Sequence, residues 1–261
     1  MELELKNRIA IVTGASKGMG LATVKSLLAE GVKVMMVSRN GNQLERISSE
    51  YTNQGHEIDF LAGDVSDEKL ASRVVHETLQ KWGSVDILIN NAGGPPSGSF
   101  LDHESSAWDL AIQTNLMSTI RFSTEVAPFM KKKKWGRIIS ITSTVGKEPS
   151  PAMVLSATTR AGVASFTKAI SLELAEYNIT ANVILPGGVK TDRLKDLIEV
   201  SAQKENKSVQ NLTKQIEQGI PAKRFAKPEE IAETIVFLAS EKGAYINGIS
   251  LAVDGSLLKS F

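Results

Sequence analysis

The stretch Arg8 to Gly20, RIAIVTGASKGMG, constrains this chain more than any other. Ile9, Ala10, Ile11 and Val12 form a short continuous apolar run rich in β-branched residues, as a strand buried on both faces requires. Glycines follow at 14, 18 and 20, and Leu21 to Glu30 carries apolar residues at helical spacing. Strand, glycine turn and helix together are the setting in which spaced glycines read as a dinucleotide fingerprint. Gly14 permits the tight turn, Gly18 lets the backbone approach a pyrophosphate, and Gly20 lets the helix pack close to the strand. The first N–H groups of that helix face the phosphates.

The same alternation runs down the chain. Further strands are predicted at Val32–Val37, Glu57–Leu61, Val85–Ile89, Arg137–Ile141, Ile179–Leu185 and Ile249–Val253. Between them lie helical stretches: Asn42–Tyr51, one capped by Asp67 and ending at Trp82, and one capped by Ser105 or Ser106 that runs to Lys131–Lys134. Two more cover 152–177 and Pro228–Ser240. This pattern predicts an α/β fold, a single-domain doubly wound (Rossmann) parallel sheet of about seven strands flanked by helices, spanning residues 1–261. Thr191 to Gln218 is polar and weakly amphipathic, an excursion whose composition predicts mobility, so 191–218 is read as a substrate lid.

The second predicted strand ends in Ser38, Arg39 and Asn40. In dinucleotide folds that end faces the adenosine ribose, where an acidic residue would bind a bare hydroxyl. Arg39 there, with Lys17 in the glycine turn, favours a phosphate instead, so the expected cofactor is NADP, with NAD as the alternative. A formal net charge of +1 argues against a nucleic-acid surface, and the absence of cysteine excludes thiolate catalysis and Cys-type zinc sites. No His, Asp and Glu cluster suggests a metal. The start MELELKNR lacks an apolar leader and no apolar run reaches membrane length, which points to a cytoplasmic protein without a membrane partner.

Taken together, the motifs resemble the short-chain dehydrogenase/reductase family over nearly the whole chain. They are Thr13-Gly14-Ala15-Ser16-Lys17-Gly18-Met19-Gly20, Asp64-Val65, Asn90-Asn91-Ala92-Gly93, Asn115, Ser143, Pro186-Gly187, Thr191 and Val253-Asp254-Gly255. The resemblance implies NAD(P) bound across the carboxyl ends of the strands, in contact with the glycine turn, Asp64 and Val65 near the adenine, and Asn91, Ala92 and Gly93 along the groove. It places Pro186, Gly188, Val189 and Thr191 about the nicotinamide. It further implies that Asn115 supports a water relay, that Ser143 bonds the substrate carbonyl, and that the chain assembles as a homotetramer or dimer.

The family's proton donor is a tyrosine, followed four residues later by a lysine. Those positions fall on Ser156 and Arg160. The three tyrosines, Tyr51, Tyr177 and Tyr245, are followed at that spacing by Gly55, Ala181 and Ile249, so the chain contains no such pair. Arg160 can hold ribose hydroxyls but stays protonated, and Ser156 is a weaker acid than a phenol. His56 and His76 are assigned to outer elements and His103 to the surface, while Lys147 and Glu148 border the substrate region. Three functional readings follow: an NADP-dependent oxidoreductase acting on a small carbonyl or alcohol, an NADP-binding protein without redox chemistry, and an epimerase or dehydratase on the same frame.

Overall fold

The computed structural model describes residues Glu2 to Ser260. Seven strands form one sheet: β1 (Ile9–Thr13), β2 (Lys33–Ser38), β3 (Ile58–Ala62), β4 (Ile87–Asn91), β5 (Gly136–Ile141), β6 (Ile179–Pro186) and β7 (Ser250–Val253). Their order is β3-β2-β1-β4-β5-β6-β7, with every neighbouring pair parallel. The fold is thus the expected doubly wound single domain. The order reverses between β1 and β4, where such sheets open a crevice beyond the carboxyl ends of the strands.

Helices cover both faces because parallel strands bury both faces. On one side α1 (Gly18–Ala29), α2 (Gly41–Asn53) and α9 (Pro228–Ala239) pack over Ala10, Val12, Ile87, Ile89 and Ile139. On the other, α3 (Leu70–Trp82), α5 (Ser118–Lys133) and α6 (Val154–Leu174) cover Ile11, Leu88, Ile138 and Ala181. Alternate residues of one strand serve opposite layers, as the strand period demands. Among the described residues no helix is long and apolar enough to cross a membrane.

Several boundaries differ from the sequence reading, each for a local reason. Strand β4 continues past the apolar run, because Asn90 and Asn91 keep the ladder opposite Ser140 and Ile141. Asp67 does not cap α3: its carboxylate accepts from the Lys69 amide at 2.9 Å, closing a turn before the helix begins at Leu70. Neither Ser105 nor Ser106 is a cap, since α4 (Ser105–Ala111) starts with Ser105 after Glu104. From α4 the chain passes through a wide turn of π-helix at Ile112–Met117 into α5, which stops when Lys134 turns left-handed at φ 53°. Residues 175–177 tighten into a 3₁₀ turn at the end of α6.

The largest correction concerns 191–218. It folds as two helices, α7 (Asp192–Lys204), which buries Ile198 and Ala202, and α8 (Val209–Gly219), which buries Leu212 with Ile216 partly covered. Ile198, Ala202 and Leu212 pack with Ile220 and Phe225 into a separate small core. The excursion reads as weakly amphipathic because its many polar residues mask a stripe only a few side chains wide.

Candidate functional site

At the crevice the glycine turn is locked to the end of β4. The Thr13 hydroxyl accepts from the Asn91 amide at 2.8 Å and donates to its carbonyl at 3.1 Å. The Asn91 side chain donates to the Gly14 carbonyl at 3.2 Å, so it holds the turn rather than facing the groove. Gly14 has φ +59°, a conformation that side chains resist. A Cβ on Gly20 would lie 2.2 Å from the Gly14 carbonyl oxygen, so only glycine lets α1 start this close to the strand. A Cβ on Gly93 would meet nothing within 4 Å, which leaves the groove beside it open.

The groove continues along both arms of the sheet. At the end of β2, Arg39 is 81% exposed, and its guanidinium lies 3.8 Å from the Asp64 carboxylate, leaving its donors open to a ligand. Asp64 accepts from the backbone and hydroxyl of Ser66, and these bonds, with help from Arg39, hold its carboxyl below the usual range. Val65 packs against the core beneath. Lys17 lies 3.5 Å from Asp192 at the start of α7, so the two cations expected to act together have different partners. Ser16 is half-buried in the turn, and Met19 packs against the core. Ala92 is likewise half-buried on the way to Gly93.

On the other arm, Thr191 caps α7, accepting from the Leu194 amide at 3.3 Å. Its methyl group would stand 3.3 Å from a Cβ on Gly18, so the start of α7 abuts the glycine turn. Pro186 is buried at the end of β6, and Val189 is buried in the main core while its backbone bridges to Ala226. A Cβ on Gly188 would strike the Phe225 ring at 2.5 Å. Gly188 and Val189 therefore present backbone, not side chain, to the crevice.

The polar centre lies beyond Gly93. Asn115, in the π-turn, donates to the Gly93 carbonyl at 2.9 Å, and its buried Oδ1 has no partner among the described residues. Ser143 begins a 3₁₀ turn after β5, its Oγ accepting from the Val145 amide at 3.4 Å. Ser156 and Arg160 face one another on successive turns of α6, as an i, i+4 pair must. Arg160 Nε donates to the buried Ser156 Oγ at 3.0 Å, and another guanidinium nitrogen donates to the Ile141 carbonyl at 3.4 Å. Burial, and then the nearby charge of Arg193, push the Arg160 pKa down to about 10, so the group remains protonated at neutral pH.

Arg193, the second residue of α7, is the participant that sequence reasoning missed. Its guanidinium donates to the Pro95 carbonyl at 2.6 Å and reaches back over Gly94 toward Arg160. An arginine in a polar segment reads as solvated, and only its position in the first turn of α7, two residues after the cap, distinguishes it. The other nearby candidates have different tasks. Glu148 accepts from the amides of Lys259 and Ser260, tying down the carboxyl-terminal tail, and Lys147 is exposed. His103 is half-buried, with Nε2 enclosed beside Gly98 and unpartnered among the described residues, rather than lying on the surface. His56 packs against Tyr51, and His76 is exposed.

The crevice suits a dinucleotide: close-packed glycines at the helix start, open space beside Gly93, and the exposed Arg39 guanidinium at the end of β2, the end that faces the adenosine ribose in such folds. The profile of the short chain dehydrogenase family matches residues 8–202. The 3-oxoacyl-(acyl-carrier-protein) reductase of Chlamydia trachomatis is 34% identical over 254 residues, covering 97% of this chain and 98% of that protein. Its counterpart in Thermotoga maritima is 31% identical over 256 residues, covering 98% and 100%. Among solved structures, L-sorbose reductase from Gluconobacter frateurii complexed with NADPH and L-sorbose superposes with a TM-score of 0.95 at 27% identity, covering all of both chains. An NADPH dependent reductase involved in bacilysin biosynthesis gives 0.93 at 31% identity, covering 98% of this chain and 100% of that one.

Proposed function

The chain belongs to the short chain dehydrogenase family and is an oxidoreductase, and from that premise we propose a cytoplasmic, NADP-dependent enzyme that reduces a small carbonyl compound, or oxidises the matching alcohol. In this reading Ser156 and Arg160 replace the family's tyrosine and lysine. The observation that carries the reading is the groove at the reversal of strand order, floored by Gly93 and flanked by Arg39 and the Ser156–Arg160 pair. The relatives whose names specify NADPH support the choice of cofactor.

The roles follow from the donors and acceptors present. The glycine turn offers backbone N–H groups to a pyrophosphate, and Arg39 pairs with a ribose phosphate. Met19, Asp64, Val65, Ala92 and Thr191 line the cofactor, with Gly188 and Val189 contributing backbone. The nicotinamide, when bound, supplies the hydride. Ser143 donates its hydroxyl hydrogen to the substrate carbonyl. Because Arg160 Nε already occupies a lone pair of Ser156 Oγ, the Ser156 hydrogen is free to point at the substrate oxygen. The same cationic donor reduces the cost of leaving negative charge on Oγ once the proton moves. The open acceptor of Asn115 holds a water that returns the proton from solvent. The pair α7 and α8 closes over the substrate from its root at Thr191.

The test is consumption of NADPH with a panel of aldehydes and ketones, repeated with Ser156→Ala. Turnover by the wild-type protein is expected, with kcat about 10²-fold lower in the variant and NADPH affinity retained. Binding of NADPH without turnover on any carbonyl would instead identify a nucleotide-binding protein without redox chemistry. A homo-oligomer is also proposed, a dimer or tetramer built on α5 and α6, which expose Phe129 and Leu172. Light scattering in solution gives its mass.

A further inference from the structure

We propose that Arg160 and Arg193 form an oxyanion subsite, so that the preferred carbonyl substrate carries a carboxylate or phosphate close to its reacting carbon. This rests on the carbonyl-reductase reading above and narrows its substrate class.

Two guanidinium groups, one from α6 and one from the lid helix α7, meet over Gly94. A Cβ built there would lie 3.7 Å from Arg160 Nη2 and 3.7 Å from both Nε and Nη2 of Arg193. Like charges brought this close repel, more strongly where one is partly buried, unless an anion lies between them. Among the described residues neither arginine is within 4.0 Å of a carboxylate, whereas Arg8, Arg39, Arg73, Arg121, Arg137 and Arg224 each have one. Arg46 is also unpaired, but it projects into solvent from α2.

The two groups are nonetheless held in place. Arg160 is fixed by Ser156 and the Ile141 carbonyl, and Arg193 by the Pro95 carbonyl. A guanidinium has five N–H donors, so most of the Arg193 donors and the Nη2 donors of Arg160 remain available. Their planar forks match the two oxygens of a carboxylate or phosphate. Ser156, in the proton-donor position, is bonded directly to one of them, which places an anion bound here beside the reacting group.

The probes are matched pairs that differ only in charge: 3-oxobutanoate and its ethyl ester, and dihydroxyacetone phosphate and dihydroxyacetone. The wild-type protein is expected to favour the charged member of at least one pair by about 10–100-fold in kcat/KM, and the favoured pair identifies the oxyanion. Arg193→Gln should bring that ratio toward one, mainly through KM, and Arg193→Lys should restore part of it. Calorimetry of the NADPH-loaded full chain with 3-hydroxybutanoate and its ethyl ester, and with glycerol 3-phosphate and glycerol, reads the same preference without turnover. Equal behaviour of charged and neutral members in both assays, including binding of neither, would overturn the subsite. So would an Arg193→Gln effect confined to NADPH affinity, which would place the pair on the cofactor. If NADPH itself fails to bind, the broader reading fails first, and the two failures are distinguished.

Discussion

The two ends of the sheet treat buried charge in opposite ways. At the amino ends of the strands, Asp86 and Arg137 are fully buried, and every charge is answered from within the chain. Asp86 accepts from the Ile9 amide at 2.9 Å and pairs with Lys133. Arg137 donates to the carbonyls of Gly136 and Asn178 and lies 3.5 Å from Glu241, while its guanidinium and that of Arg8 both stack on Trp135. At the carboxyl ends, Arg160 and Arg193 approach one another over Gly94 with no carboxylate among the described residues within 4.0 Å, and Asn115 keeps a buried acceptor without a described partner. Buried charge at one end has partners within the chain, so removing a partner is costly; at the other end the proposed anion would supply the missing partner.

Glu241→Ala should give the largest stability change that separates the ends. It removes the carboxylate from a fully buried arginine, and urea unfolding should show a loss of about 3 kcal/mol, with NADPH affinity of the folded protein unchanged. A loss below about 1 kcal/mol would mean that the Trp135 stack and the carbonyls alone hold Arg137. Arg160→Met is expected to do the reverse. Its stability should stay level or rise by up to about 1 kcal/mol, while reductase turnover falls about 10²-fold, so one protein measured both ways tests the contrast.

The smallest effect tests whether the carboxyl end is short of anions in general or only within the crevice. Outside it, Arg224 and Glu230 form a two-pronged pair at the start of α9. The hydrogen bond from Arg224, then that from the Lys227 amide, holds the Glu230 pKa at about 2 rather than 4.5. A lowered carboxylate supplies stability that is complete above pH 4.5 and is lost as the pH falls toward 2. Glu230→Gln should therefore flatten the acid limb of the stability curve in that window and leave neutral-pH substrate preference alone. A change in preference would extend the functional region beyond the crevice.

Much of this organisation was legible in the chain. The fold follows from apolar runs of strand length, most of them closed within a few residues by glycine, asparagine or proline, and the cofactor groove from the glycines before α1. The absence of a tyrosine–lysine pair was visible by counting alone. What escaped depends on distance rather than on order. The apolar stripe of α7 and α8 is too narrow to stand out from lysines, glutamines and asparagines. Asn91 looked like a groove residue, yet its amide is directed to Gly14, because β4 runs two residues past its apolar core. Arg193 could not be paired with Arg160, 33 positions away, until α7 was placed beside Gly94.

The most direct test of the account is calorimetric titration of the full chain with NADPH and, separately, NADH. If Arg39 and the glycine turn read a phosphorylated dinucleotide, NADPH should bind saturably, one per chain, and about 10-fold or more tighter than NADH. No heat with either nucleotide at millimolar concentration, or tighter binding of NADH, would contradict it.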